Sequence, residues 1–169
     1  DSVYFAYFAP YSYERHQDLI HSAQMHPDCQ LHVLGQTLDG RDMSLLKVGT
    51  DGEGKRVVWI TARQHPGETM AEWFVEGLVD RLLNENDGVA RALIDQAVFY
   101  IVPNMNPDGS VRGHLRTNAV GANLNREWLE PSMERSPEVF LVREKMLQTG
   151  VDMFLDVHGD EALPVNFVA

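Results

Sequence analysis

The stretch Val57-Val-Trp-Ile-Thr-Ala-Arg-Gln-His-Pro-Gly-Glu68 decides how the rest of the chain is read. Its first half is a near-continuous apolar run of strand length, the pattern of a strand covered on both faces. Its second half breaks at Pro66-Gly67 and presents His65 and Glu68, three positions apart. The Pro-Gly pair forces a turn, so backbone geometry positions the two side chains. A strand that runs into a turn and delivers an imidazole and a carboxylate is how a metal site is built.

On the C-terminal side, Met70, Trp73, Phe74, Gly77, Leu78 and Leu82 recur at helical spacing, with Thr69 or Glu68 where a cap or dipole partner belongs. Ala97 to Val102 reads as a second buried strand, ended by Pro103. A long polar segment from Asn104 to Pro131 follows, and then Ser136-Pro137 starts a helix that ends at Gly150. Val151 to Val157 reads as a last central strand, delivering His158.

On the N-terminal side, Leu31 to Thr37 and Met43 to Val48 form a hairpin through Leu38-Asp-Gly-Arg41. Ser12 caps a helix with Leu19, Ile20 and Ala23 inward, stopped by Pro27, and Val3 to Phe8 opens the chain as an aromatic, β-prone run. Strands alternating with helices after an initial hairpin predict one α/β domain with a mixed central β-sheet flanked by helices.

With 169 residues, 44% hydrophobic, the chain is long enough for an ordinary core, and it contains no apolar run of membrane-spanning length. A formal charge of −11 argues against nucleic acid or an anionic membrane as partner, because such polyanions are held mainly by Lys and Arg. Cys29 is the single cysteine, which excludes an internal disulfide and fits a reducing, cytoplasmic setting. The chain opens on Asp1 with no basic, signal-like start, so its natural N-terminus is expected upstream. Nothing in the sequence sets the oligomeric state.

His65, Glu68 and His158 each follow a predicted central strand, at the edge where open α/β sheets gather their ligands. Two histidines and one carboxylate leave a fourth position for water, the arrangement of a hydrolytic zinc site. The segment Asn106-Pro-Asp-Gly109, Arg116 and Gly121-Ala-Asn-Leu-Asn125-Arg126 forms a second cluster. Arginine holds a carboxylate through parallel hydrogen bonds and an adjacent Asn adds another, so Arg116, Asn125 and Arg126 suit carboxylate recognition and oxyanion stabilisation. Asp156, two residues before His158, is a candidate to orient that histidine, with a helix cap or solvent partner as the alternative. His16, His21, His26, His32 and His114 have no ligand-like spacing and read as surface or structural residues.

The order His65-Pro-Gly-Glu68, Asn106-Pro-Asp-Gly109, Arg116, Asn125-Arg126, His158 resembles the zinc metallocarboxypeptidase family, and the aromatic opening Tyr4 to Tyr13 resembles its cytosolic carboxypeptidase subgroup. The resemblance spans nearly the whole chain and includes the hairpin Leu34-Gly-Gln-Thr-Leu-Asp-Gly-Arg41. It implies a zinc carboxypeptidase-like fold in which His65, Glu68 and His158 bind Zn2+ and Arg116 polarises the scissile carbonyl. Asn125 and Arg126 would grip the C-terminal carboxylate of a peptide or protein substrate, with glutamate as the leading C-terminal residue. Gly67 stands where digestive members carry an arginine. The family's general-base Glu belongs to a later strand, beyond residue 169, so residues 1–169 read as the N-terminal portion of a catalytic domain that binds zinc without turning over peptides. Glu161 and Asp160 are the nearest, weak substitutes for that base. Two other classes compete: an aspartoacylase-type amidohydrolase of small N-acyl amino acids, which shares His-x-x-Glu and Asn-Arg, and a non-catalytic zinc- or peptide-binding module. The Asn-Pro-Asp-Gly segment favours the peptidase.

Overall fold

A computed structural model describes residue 3, residues 5–163 and residues 165–168. Five strands, β1 (Cys29–Gln36), β2 (Asp42–Val48), β3 (Arg56–Ala62), β4 (Ala97–Val102) and β5 (Met153–Val157), form one sheet in the order β1-β2-β4-β3-β5. The β1/β2 and β2/β4 pairs are antiparallel, whereas β3 runs parallel to both β4 and β5. The sheet is therefore mixed, as expected, with its parallel half at the end that carries the candidate ligands.

Five helices flank it: α1 (Tyr13–Gln24), α2 (Met70–Leu82), α3 (Gly88–Gln96), α4 (Pro107–Arg112) and α5 (Pro137–Thr149). Period-two alternation along β4 sends Phe99 and Ile101 into a core with Leu19, Ile60, Val75 and Val79, and Val98, Tyr100 and Val102 into a second core with Trp59, Val139 and Val142. The parallel strands are thus sandwiched between helices, which is why β3 and β4 read as unbroken apolar runs. The hairpin turn closes as the Asp-Gly step predicts, with Gly40 at φ +77° and Thr37 N–H donating to Arg41 O.

Two expectations, the aromatic opening and the start of the polar segment, need correction. The apolar run Val151 to Val157 forms β5, which among the described residues pairs with β3, with Met153 and Phe154 exposed. Tyr4 of the aromatic opening lies outside the described residues, and the described ones around it form no strand, with Phe5 and Tyr7 exposed to solvent. Helix α3 fills the stretch between α2 and β4, for which sequence alone offers no reading; Asp87 caps it by accepting from the Val89 and Ala90 amides. Helix α4 occupies the start of the polar segment, with Asn106 Oδ1 accepting from Gly109 N–H and Gly113 ending it at φ +72°.

Candidate active site

The site forms where β3 and β5 end. Immediately after β3, Arg63 adopts φ +56°, a left-handed conformation unusual for a residue with a side chain. Its guanidinium is buried and donates to Tyr11 O, Pro66 O and Glu72 Oε2, the last at 2.6 Å. Glu72, fully buried in the first turn of α2, also meets His16 Nδ1 at 2.7 Å and accepts from Asn104 Nδ2 at 3.3 Å. This buried ion pair holds the backbone reversal that aims the turn His65–Glu68, which closes through Glu68 N–H donating to His65 O. Thr69 occupies the N-cap position of α2, but its hydroxyl donates to Ala9 O and caps nothing in the helix.

His65, Glu68 and His158 come together: one ligand atom from each lies within 4.8 Å of the others. Nδ1 of His65 is 2.8 Å from Glu68 Oε1 and Nδ1 of His158 is 2.9 Å from Glu68 Oε2. The outer nitrogens are each tied off by an acceptor, His65 Nε2 by Asn123 Oδ1 at 3.0 Å and His158 Nε2 by Asp156 Oδ2 at 2.7 Å. Acceptors on both Nε2 atoms hold a proton there, so the two Nδ1 atoms beside Glu68 are the nitrogens that a metal ion would take. Two imidazole nitrogens and a carboxylate converging with fixed tautomers fit a zinc ion.

Burial alone would raise the Glu68 carboxyl, but hydrogen bonds from His158, His65 and the Gly159 amide outweigh it and hold the group at about 2. His158 is raised to about 9 by its hydrogen bond with Asp156, then by that with Glu68, against the effect of burial.

The expected role of Asp156 is the one observed, and the carboxylate is itself braced by Thr61 Oγ1 at 2.8 Å and by Gln64 Nε2. Gln64 in turn accepts from Trp128 Nε1 at 2.9 Å, which ties the later loop to the ligand turn. Arg116 reaches the same cluster, with guanidinium nitrogens 3.4 Å from Glu68 Oε1 and 3.3 Å from His65 Nε2. Asn125 and Arg126 lie in a single 3₁₀ turn, Leu124–Arg126, whose cap is Asn123. That turn starts against His65, but the Arg126 side chain points to solvent and bonds only Asn125 O among the described residues. Asp160 caps its own turn by accepting from the Ala162 and Leu163 amides, and Glu161 is exposed; neither bonds the cluster. Arg63, Gln64, Glu72 and Asn123 were not singled out from sequence. Only Asn123 had a signal, its place in the Asn-rich run before Arg126.

A parallel sheet edge carrying two histidines, a carboxylate and an adjacent arginine defines a metallohydrolase-type centre, and comparison with known proteins narrows the class. The chain belongs to the zinc carboxypeptidase family, whose model matches residues 16–165. A structure from Shewanella denitrificans, provisionally named a carboxypeptidase A, superposes with a TM-score of 0.92 at 69% identity over 94% of this chain and 42% of its own. A metallo-carboxypeptidase from Pseudomonas aeruginosa, in complex with (2-guanidinoethylmercapto)succinic acid, gives 0.89 at 52% identity, with the same 94% and 42% coverage. Mouse cytosolic carboxypeptidase 6 is 32% identical over 99% of this chain and 34% of its own length. The chain thus spans well under half the length of these relatives. No helix among the described residues is long and apolar enough to cross a membrane.

Proposed function

We propose that this chain supplies the metal-binding and carboxylate-binding half of a zinc-dependent metallocarboxypeptidase that hydrolyses the C-terminal peptide bond of peptides or proteins. The observation that carries the reading is the convergence of His65 Nδ1, Glu68 and His158 Nδ1 beside Arg116. Zinc bound there supplies Lewis-acid polarisation of a carbonyl and a water acidified toward neutral pKa.

The chain's own residues do the rest. His65, Glu68 and His158 hold the ion, with Asn123 and Asp156 fixing the imidazole tautomers. Arg116 faces the scissile carbonyl oxygen and stabilises the charge that develops on it. Asn125 and Arg126 take the free C-terminal carboxylate, and the exposure of Arg126 leaves its guanidinium open for a bidentate contact. The dicarboxylic ligand named for the Pseudomonas relative supports such a grip. Similarity to cytosolic carboxypeptidases supports a cytoplasmic setting, and glutamate as the released residue rests on the resemblance of the sequence to that subgroup. The positions of Asp160 and Glu161 support a general base outside these residues, so residues 1–169 act as the N-terminal portion of the catalytic domain.

Calorimetric titration tests this. The chain is expected to take up one zinc ion, to lose it in Glu68→Gln, and to bind a peptide ending in glutamate better than its C-terminal amide, a preference lost in Arg126→Ala. Equal binding of acid and amide sinks the carboxylate grip. Hydrolysis of a peptide by residues 1–169 overturns the placement of the base, and hydrolysis of N-acetyl-aspartate without any peptide binding would favour the amidohydrolase.

A further inference from the structure

Arg116 is weakly held by its own side chain. Its two polar contacts among the described residues are long, 3.3 and 3.4 Å, and the side chain is 43% exposed. Where the guanidinium sits is therefore governed by the backbone that carries it.

That backbone is gripped on both sides of Arg116 by glycines. Gly67, between the two ligands of the turn, donates its N–H to Leu115 O at 2.9 Å. A Cβ at Gly67 would lie 2.7 Å from Leu115 Cδ1 and 3.0 Å from Leu115 O. Gly109, in α4, lies against the other neighbour: a Cβ there would lie 2.5 Å from Thr117 O, 2.5 Å from Pro66 Cγ and 2.6 Å from Asn106 Oδ1. Neither glycine has a positive φ, so backbone conformation alone requires neither. Both positions are instead demanded by close approach, where a side chain would collide. Pro66 completes the contact by packing its ring on Gly109, and His114 N–H donates to Gly109 O at 2.9 Å.

We infer that Gly67 and Gly109 are positioning residues that together clamp the chain at Leu115 and Thr117 and so set the Arg116 guanidinium beside Glu68 and His65. The inference rests on the proposed role of Arg116 for its catalytic meaning, but the clamp can be tested without turnover. It also explains Gly67 physically: Leu115, first its side-chain tip and then its carbonyl, occupies the space that a side chain at position 67 would need.

The two sites differ in how they can yield. At Gly67 the closest atom is the tip of Leu115, a half-exposed and flexible side chain, so alanine displaces the loop modestly. At Gly109 two of the three atoms are a backbone carbonyl and the oxygen that caps α4, so alanine has no inexpensive escape.

The test is phenylglyoxal labelling of the 169-residue chain, mapped by mass spectrometry at Arg116, at buried Arg63 as a control for general loosening and at exposed Arg126 as a reference. Zinc titration runs in parallel. Gly67→Ala is expected to raise Arg116 labelling severalfold with Arg63 unchanged and zinc affinity nearly intact. Adding Leu115→Ala in that background should return most of the effect, a rescue that simple destabilisation cannot give. Gly109→Ala should act more strongly; if that variant does not fold, the Gly67 pair decides. Unchanged Arg116 labelling in Gly67→Ala, labelling of Arg63 rising in step with Arg116, or absence of rescue by Leu115→Ala overturns the clamp. A wild-type chain that binds no zinc defeats the metal reading while leaving the labelling comparison in force.

Discussion

Oδ1 of Asn123 lies 3.0 Å from Nε2 of His65, and the same oxygen accepts from the Asn125 amide at 3.1 Å. One side-chain carbonyl therefore fixes the protonation of a candidate metal ligand and starts the turn that carries the candidate carboxylate-binding residues. Asn123→Ala should weaken zinc binding by about 10- to 100-fold, the usual cost of losing a partner behind a ligand histidine. Asn123→Asp, which keeps an acceptor, should lose far less. Competition against a chromophoric chelator reads both, and equal affinities for wild type and Asn123→Ala would limit Asn123 to capping.

Arg63 and Glu72 form a buried ion pair at 2.6 Å beneath the ligand turn. Removing one partner strands the other charge, so Arg63→Ala should cost about 3–5 kcal/mol in denaturant unfolding. Because Arg63 sits at φ +56°, Arg63→Gly should be less damaging than Arg63→Ala by about 1 kcal/mol, although it removes the same side chain. Identical midpoints for the two variants would mean that the backbone conformation there stores no strain.

Glu138 gives a pH dependence. It is fully buried near the start of α5, with Oε2 accepting from Asn118 at 3.3 Å and Oε1 without a partner among the described residues. Burial raises its carboxyl from 4.5 to about 7, with hydrogen bonds from its own amide and Asn118 opposing and Asp108 and Asp39 adding repulsion. The folded state therefore holds the proton more tightly than the unfolded chain. Stability from this group is full below pH 4.5 and is lost as pH rises through about 7, a loss of about 3 kcal/mol. Glu138→Gln should flatten that part of the stability profile and exceed wild type at pH 8. A wild-type profile that does not fall between pH 5 and 8 relative to the variant would show that Glu138 does not carry it.

Asp108 anchors the hairpin to α4. It is fully buried and accepts from Thr37 Oγ1 at 2.8 Å, Asp39 N–H at 3.0 Å and Arg41 at 2.8 Å. Asp108→Ala leaves Arg41 half-paired and should destabilise by about 2–4 kcal/mol. Amide exchange should show the loss concentrated at Thr37 to Arg41; uniform loss across the sheet would argue against a local anchor.

Strands β3, β4 and β5 were legible as apolar runs and β1 and β2 as short strands joined at Asp39-Gly40, and the three candidate ligands were legible because each follows an apolar run. Partner choice was not. Only the assembled sheet shows that β4 lies between β2 and β3 and that β5 pairs with β3. Helix α4 was hidden because Pro107 and Gly109, which read as turn residues, serve there as a helix start and a close packing point. Helix α3 was hidden by Asn84-Glu-Asn-Asp-Gly88, where the last Asp is a cap. Arg63 and Asn123 act through contacts with residues 9 and 58 positions away, at no spacing that a helix or strand period would expose.

The placement of β5 has a consequence for the ion itself. Glu68 and His158 are 90 positions apart, brought together by β5 pairing with β3. An ion shared by His65, Glu68 and His158 would close a loop of that length, a constraint that a covalent link would make worth roughly 4–5 kcal/mol of unfolded-chain entropy. Zinc would then act as a staple between β3 and β5, and the protection of the β5 amides against exchange would depend on it.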